Sequence, residues 1–245
     1  MSKKISIKQN NGFMIEVLFE DEYCLIVNKP NNVLVHHSYY SRNITDDSLL
    51  QLLRQQFVGS NFYPVHRLDR KTSGIILLAK DKTYVSKFQD LFMSDAIQKK
   101  YYAVVRGFCD DNGTIDSPVK NPDTGVYKDA LTVYKTVSNI TLDIPVQPYE
   151  TSRYSVLEFE PKTGRMHQLR KHANKIAHPI IGDHKYGNRH HNQMFESNFG
   201  LDYLFLHAHS LSFTHPFTNQ ELVITKKTPS FWNTFFNAVN WDINL

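Results

Sequence analysis

Short apolar runs broken by polar turns fill the first part of the chain, and their periods separate strands from helices. Residues 14–20 and 23–29 read as two strands joined at Asp21-Glu22, and Pro30-Asn31-Asn32 stops the second. Thr45-Asp46-Asp47 can cap a helix with Leu49, Leu50, Leu53 and Phe57 on its apolar face, ended by Gly59. Residues 75–79 are an unbroken apolar run, which predicts a buried strand. Val85, Phe88 and Phe92 recur at helical spacing with Leu91 beside them, predicting a helix from Asp81 to about Asp95. A strand over 101–107 follows.

The pattern then loosens. Residues 109–130 are polar and carry Gly113, Pro118, Pro122 and Gly125, so loop and hairpin are expected, mobile together with 145–152. A strand over 154–161 runs through Lys162-Thr163-Gly164 into a helix with Leu169, Ala173, Ile176 and Ala177 apolar, which His178-Pro179 stops. Residues 184–200 read as a long polar loop. Strands over 204–213 and 221–225 turn at His215-Pro216-Phe217, and a last helix carries Trp232, Phe235, Phe236 and Val239. Strands outnumber helices without a repeat, which predicts an α+β fold: a mostly antiparallel mixed sheet with flanking helices.

Composition narrows the setting. With 245 residues, 41% of them hydrophobic, the chain can bury one sizeable core, and the expected division is a flexible leader over 1–12 and one domain over 13–245. No run approaches the roughly 18 apolar residues of a membrane span, and the basic start lacks a signal peptide's apolar stretch. A cytoplasmic protein, with no membrane partner, is the expectation. The net charge of +4 is compatible with a nucleic-acid partner without demanding one. Two cysteines make no disulfide framework, and Cys24 reads as a small core residue. The close histidine pairs (His36-His37, His190-His191, His207-x-His209) lack a third ligand, so no metal is expected.

The densest chemistry lies in residues 64–74, where PVHRLDRKTSG runs straight into the buried strand. Asp69 stands among Arg67, Arg70 and Lys71, whose positive charge favours a charged carboxylate. Such a carboxylate at the mouth of a core suits nucleophilic catalysis, whereas a surface turn would use it only to accept backbone hydrogen bonds. Arg170 falls on the border of its helix's apolar face. It is either a partly buried charge in need of a partner, for which Asp69 is suited, or an arginine whose head reaches water. Lys171 and Lys175 point the other way. Tyr101 and Tyr102 must face opposite sides of their strand, and both could be packing residues.

HRLD, two residues, then TSG resembles the active-site motif of the pseudouridine synthases, in the large-subunit rRNA synthase A-like family. Val27-Asn28-Lys29-Pro30 is similar to that family's first signature, Lys99-x-Tyr101 to its second motif, and the run from Lys162-Thr163-Gly164-Arg165 through His167-Gln168-Leu169-Arg170 to its third. The resemblance implies a fold with a central active-site cleft and isomerisation of an RNA uridine to pseudouridine with base flipping, without a cofactor. It implies Asp69 as the initiating carboxylate, Arg170 as its partner, and Tyr101 as a stacking group and late base. Arg67 would fill the gap left by the flipped nucleotide. Arg70, Lys71, Lys99, Lys100, Arg165, Lys171 and Lys175 would hold flanking phosphates on the rim of one cleft. His66, Thr72, Ser73 and Gly74 would shape the loop. No RNA-binding domain is expected ahead of the core, and a monomer is. Runs around Ser152-Arg153-Tyr154, 178–183 and Thr214-His215-Pro216-Phe217-Thr218 resemble the tRNA-directed branch and imply uridine 65 of tRNA. An rRNA-directed synthase, or a non-catalytic RNA-binding or folding factor, stands as the alternative.

Overall fold

The computed structural model describes residues 14–37, 45–94 and 96–245. The leader expected over 1–12 lies outside the described residues, as does Asp95. The chain forms β1 (Glu16–Glu20), β2 (Cys24–Lys29), α1 (Leu49–Gln56), β3 (Tyr63–Pro64), β4 (Ser73–Ala79), α2 (Val85–Met93) and β5 (Ile97–Arg106). It continues through β6 (Asn112–Asp116), β7 (Val119–Lys120), β8 (Tyr127–Lys128), β9 (Leu131–Leu142) and β10 (Ser152–Pro161). Then come α3 (Gln168–Lys175), α4 (Arg189–Phe199), β11 (Leu206–Thr214), β12 (Glu221–Thr225) and α5 (Ser230–Ala238).

All seven residues of β4 are buried, because helices cover both faces of this strand. Ile76 and Leu78 pack with Leu25, Val27, Leu49 and Leu53 on the α1 side. Ile75, Leu77 and Ala79 pack with Cys24, Ile26 and Phe88 on the α2 side. The third core lies under β5, β9 and β10, where Phe195 of α4 and Phe235 of α5 meet with ring centroids 4.7 Å apart.

Among the described residues the main sheet has ten strands in the order β1-β2-β4-β11-β5-β10-β9-β6, with β12 on β11 and β3 on β4. Every pairing is antiparallel except β4 with β11, which meet only through His207↔Ser73 and Ala208↔Gly74. Beyond that short contact β12 takes over the same edge of β11, pairing from Ser210↔Thr225 to Thr214↔Glu221. The two halves of the sheet therefore splay apart beside the start of β4, and the Asp69 loop sits at that parting.

The expected strands and all four expected helices are present, with shifted ends. The cap of α1 is Ser48, not Thr45-Asp46-Asp47: its N–H and Oγ both bond Gln51 Oε1, at 2.9 and 2.8 Å. The stretch 184–200 is not a long loop but contains α4, capped by Asn188, whose side chain accepts the N–H groups of His190 and His191. Its buried face, His191, Met194 and Phe195, is narrow and only partly aliphatic. The longest strand, β9, has no counterpart among the expected elements; exposed Lys135, Asn139 and Thr141 break its apolar pattern, and it lies between β6 and β10.

Candidate active site

The Asp69 loop is held from several sides. His66 Nε2 accepts the Leu77 N–H at 3.0 Å, and burial, aided by the charge of Lys99, pushes its pKa down to about 3. It is thus a neutral acceptor that fixes the loop to β4. Lys29 is wholly buried and its Nζ donates to the carbonyls of Pro30, Val33 and Arg70 at 2.7, 2.8 and 3.0 Å. Burial lowers this amine's pKa to about 7 against the pull of Asp69. Thr72 is buried and its N–H closes a turn onto the Asp69 carbonyl at 3.1 Å. Ser73 Oγ lies 2.9 Å from His207 Nδ1, locking the short parallel contact. Gly74 has φ 111°, and a Cβ there would lie 2.2 Å from the Ala208 carbonyl oxygen. Only glycine allows the strands to approach so closely.

Across the parting, α3 delivers Arg170. Gln168 fixes the helix start: its Nε2 donates to the Leu131 carbonyl and Thr132 Oγ1, both at 3.0 Å, and its Oε1 accepts from Thr163 Oγ1 and the Arg165 N–H. Arg170 Nη1 donates to Asp69 Oδ2 at 3.0 Å. Its Nε and Nη2 donate to Asp183 Oδ2 and Oδ1, both at 2.8 Å. Burial opposes the guanidinium charge, but the Asp183 bonds, then Asp69, outweigh it and raise the pKa. Asp183 is 1% exposed; burial works against its charge, and the Arg170 bonds prevail and hold its carboxyl below the ordinary value. A bidentate carboxylate on one side of the guanidinium thus points the remaining N–H at Asp69.

Asp69 and Arg170 open onto a cavity of about 670 Å³ that also takes in Tyr101 and His167. Burial, with the Asp69 charge, raises the Tyr101 pKa, so its phenol is neutral and offers a flat face beside the carboxylate. His167 Nδ1 lies 2.9 Å from the Tyr186 hydroxyl and Nε2 lies 3.8 Å from Asp69 Oδ1. Arg67, Lys99, Lys162 and Arg165 complete the positive lining. A carboxylate with a fixed cationic partner, a stacking surface and a basic mouth can attack or deprotonate a flat, anion-bearing substrate.

The structure gathers Asp69, Tyr101 and Arg170, together with Arg67, Lys99 and Arg165, as the sequence led us to expect. The rest of the basic set does not line the cavity. Arg70 turns its Nε to the Asn32 carbonyl at 3.0 Å, and the Lys71 carbonyl accepts from Asn31. Lys100 faces away from Tyr101, as strand alternation requires, and pairs with Glu158 at 2.9 Å. Lys171 donates to the Lys120 carbonyl at 2.6 Å, and Lys175 is exposed at the end of α3. Three residues of the site were not singled out from sequence: Lys29, His167 and Asp183. An acidic residue after a Gly, within reach of a helix that bears a half-buried arginine, was the available signal for Asp183.

Among the described residues, Asp21, Cys24 and His215 form a trio with the spacing of metal ligands. His215 Nδ1 accepts the N–H groups of Phe217 and Thr218, so Nε2 carries a hydrogen and faces Asp21 Oδ2 at 3.2 Å. Burial raises the Cys24 thiol pKa. The trio therefore ties the Asp21 turn to the β11–β12 turn and presents no free imidazole lone pair to a cation.

The family model for RNA pseudouridylate synthase matches residues 23–175, and the chain belongs to that family. It is 36% identical over 242 residues to tRNA pseudouridine synthase C of Vibrio vulnificus (strain CMCP6), covering 95% of this chain and 98% of that one. It is 38% identical over 240 residues to tRNA pseudouridine synthase C of Pasteurella multocida (strain Pm70), covering 94% and 98%. The fold is shared with human RNA Pseudouridylate Synthase Domain Containing 4 at a TM-score of 0.73 and 24% identity, over 94% of this chain and 95% of that one. No helix of the described residues is long and apolar enough to cross a membrane.

Proposed function

We propose that this chain is an isomerase that converts a uridine of tRNA, at position 65, into pseudouridine, with Asp69 initiating the reaction. The observation that carries the reading is the Asp69–Arg170 contact of 3.0 Å at the cavity, beside Tyr101. Relatives bearing the tRNA pseudouridine synthase C name match over almost the whole chain, which supports tRNA over rRNA.

The target base, stacked in an RNA stem, must be extruded to reach Asp69, and Arg67 at the cavity mouth is placed to fill the space it vacates. Lys99 and Arg165 hold the flanking phosphates. Tyr101 stacks on the uracil. Asp69 then engages C1′, uracil C6 or the 2′ hydrogen, the C1′–N1 bond breaks, the base turns, and C5 bonds to the sugar. Burial, and then the charge of Asp69, keep the Tyr101 phenol neutral; once that charge is consumed the phenol ionises more readily, and as a phenolate it takes the C5 hydrogen. The chain works as a monomer in the cytoplasm, as one domain from residue 13 onward.

The test is tritium release from tRNA and rRNA transcripts labelled at uridine C5. Release from tRNA alone, abolished when uridine 65 is replaced, is the expected result. Release from rRNA alone would keep the chemistry and overturn the substrate, and release from neither would favour an RNA-binding factor.

A further inference from the structure

His167 stands beside Asp69, and the reaction outlined above gives it no task. It precedes α3 with φ 57° and ψ 26°, a left-handed conformation unfavourable for a residue other than glycine. The Gln168 bonds on one side and the Lys171 N–H to its carbonyl on the other hold it there. This backbone turns the imidazole into the cavity, where its side chain is 14% exposed.

Arg170 occupies Asp69 Oδ2, while His167 Nε2 faces the other oxygen, Oδ1, at 3.8 Å. A carboxylate oxygen repels a ring lone pair and attracts an N–H, so Nε2 carries the hydrogen and Nδ1 accepts from the Tyr186 hydroxyl. Tyr186 is held in turn. Its N–H donates to Asp183 Oδ1 at 3.1 Å and its ring lies 5.2 Å from the Arg170 guanidinium carbon. The carboxylate that aims Arg170 therefore also holds the residue whose hydroxyl meets His167 Nδ1.

Whichever atom Asp69 engages first, the electron pair of the C1′–N1 bond must leave on the uracil, as an anion shared among N1, O2 and O4. O2 is carried on the carbon next to N1, so it lies close to C1′. At 3.8 Å the Nε2–H is too distant to be spent on Asp69 itself. We propose that His167 is a further catalytic residue whose Nε2–H donates to uracil O2 and stabilises the anion as the C1′–N1 bond breaks. This rests on the pseudouridine synthase reading of the site.

A neutral donor suits that task, since it strengthens with developing charge without quenching the nucleophile. The groups facing the imidazole are Asp69 from its loop, Arg170 and Lys171 from α3, and Lys185 and Tyr186 from the turn after Asp183. Burial lowers the imidazole pKa; Asp69 works against that shift, and Arg170, Lys185 and Lys171 add to it. Protonation would draw the imidazolium onto Asp69 Oδ1 and occupy the second oxygen, so the rate should fall on the acid side.

Single-turnover rates at saturating tRNA, with binding measured separately, test this. His167→Asn keeps a side chain tolerant of the left-handed backbone and removes the imidazole. Its rate should fall about 100-fold with RNA affinity nearly unchanged, and the acid limb that His167 contributes should vanish. Tyr186→Phe keeps the ring under Arg170 but frees the tautomer, and should lower the rate about 10-fold and shift that limb. If His167→Asn does not fold, Tyr186→Phe carries the test. With RNA bearing 5-fluorouridine, whose base is the better leaving group, the His167→Asn deficit in base cleavage should shrink. A full rate with an unchanged pH profile, a loss confined to binding, or an equal deficit with both bases would each overturn the proposal. An unaltered chain that makes no pseudouridine would sink the broader reading as well, whereas an active chain with a full-rate His167→Asn would sink this proposal alone.

Discussion

Asp183→Asn probes the clamp that the site depends on. Asp183 accepts two charge-assisted bonds from Arg170 at 2.8 Å and two backbone N–H groups, from Lys185 and Tyr186, on Oδ1. The asparagine keeps one oxygen for these donors but sets an amide N–H₂ against another guanidinium N–H. A hydrogen bond to a charged group contributes about 1.5–3 kcal/mol, and removing one member of a buried pair costs about 3–5 kcal/mol. Asp69 still neutralises part of the guanidinium charge, so a loss of about 3 kcal/mol is expected. For a chain of this size that is a fall of about 6–12 °C in Tm. The guanidinium, no longer braced, should also lose its aim at Asp69 and lower the turnover rate about 10- to 100-fold. Thermal melting and single-turnover kinetics on one preparation read both effects. A variant within about 1 kcal/mol of the parent and equally fast would refute the clamp.

Two further predictions lie outside the cavity. Hydrogen bonding from His209, and then from Lys100, overcomes burial and holds the Glu158 carboxyl at about 2, below its ordinary 4.5. The stabilisation this implies is present above pH 4.5 and disappears as pH falls through about 2. Glu158→Gln should therefore be less stable by about 1 kcal/mol at pH 7, after allowance for solvent screening, with the gap closing in acid denaturation series; a gap that does not depend on pH would contradict the assignment. Gly74→Ala should cost at least about 3 kcal/mol by urea titration, because its Cβ has no room against Ala208 and the backbone is left-handed. A loss below about 1 kcal/mol would mean that β4 and β11 can separate without penalty.

The sequence made the Asp69 loop conspicuous because a cluster of charges abuts an apolar run that must be buried. The border position of Arg170 on an apolar helix face left two readings open, and the resemblance to the family's third motif chose between them. Asp183 offered only a weak signal, an acidic residue after a glycine, since its partner lies on another element and nothing periodic links the two. Lys99 and Lys100 show the same limit: they are adjacent in sequence, yet strand alternation sends one to the cavity and the other to Glu158. Arg70 flanks the Asp69 turn, but its Nε donates to the Asn32 carbonyl and the side chain does not line the cavity. Helix α4 escaped because its buried face contains a histidine and a methionine in place of aliphatic residues, although Asn188 marked its start. His167 had no signal of its own, as its left-handed backbone is set by neighbours that only the fold assembles.

The most direct test of the central claim is pseudouridine formation by Asp69→Asn on the tRNA that the unaltered chain modifies. The substitution preserves shape and an oxygen for Arg170 while removing the charge. RNA binding should persist and no pseudouridine should form. An Asp69→Asn protein that still makes pseudouridine would contradict the assignment of Asp69 as the initiating carboxylate.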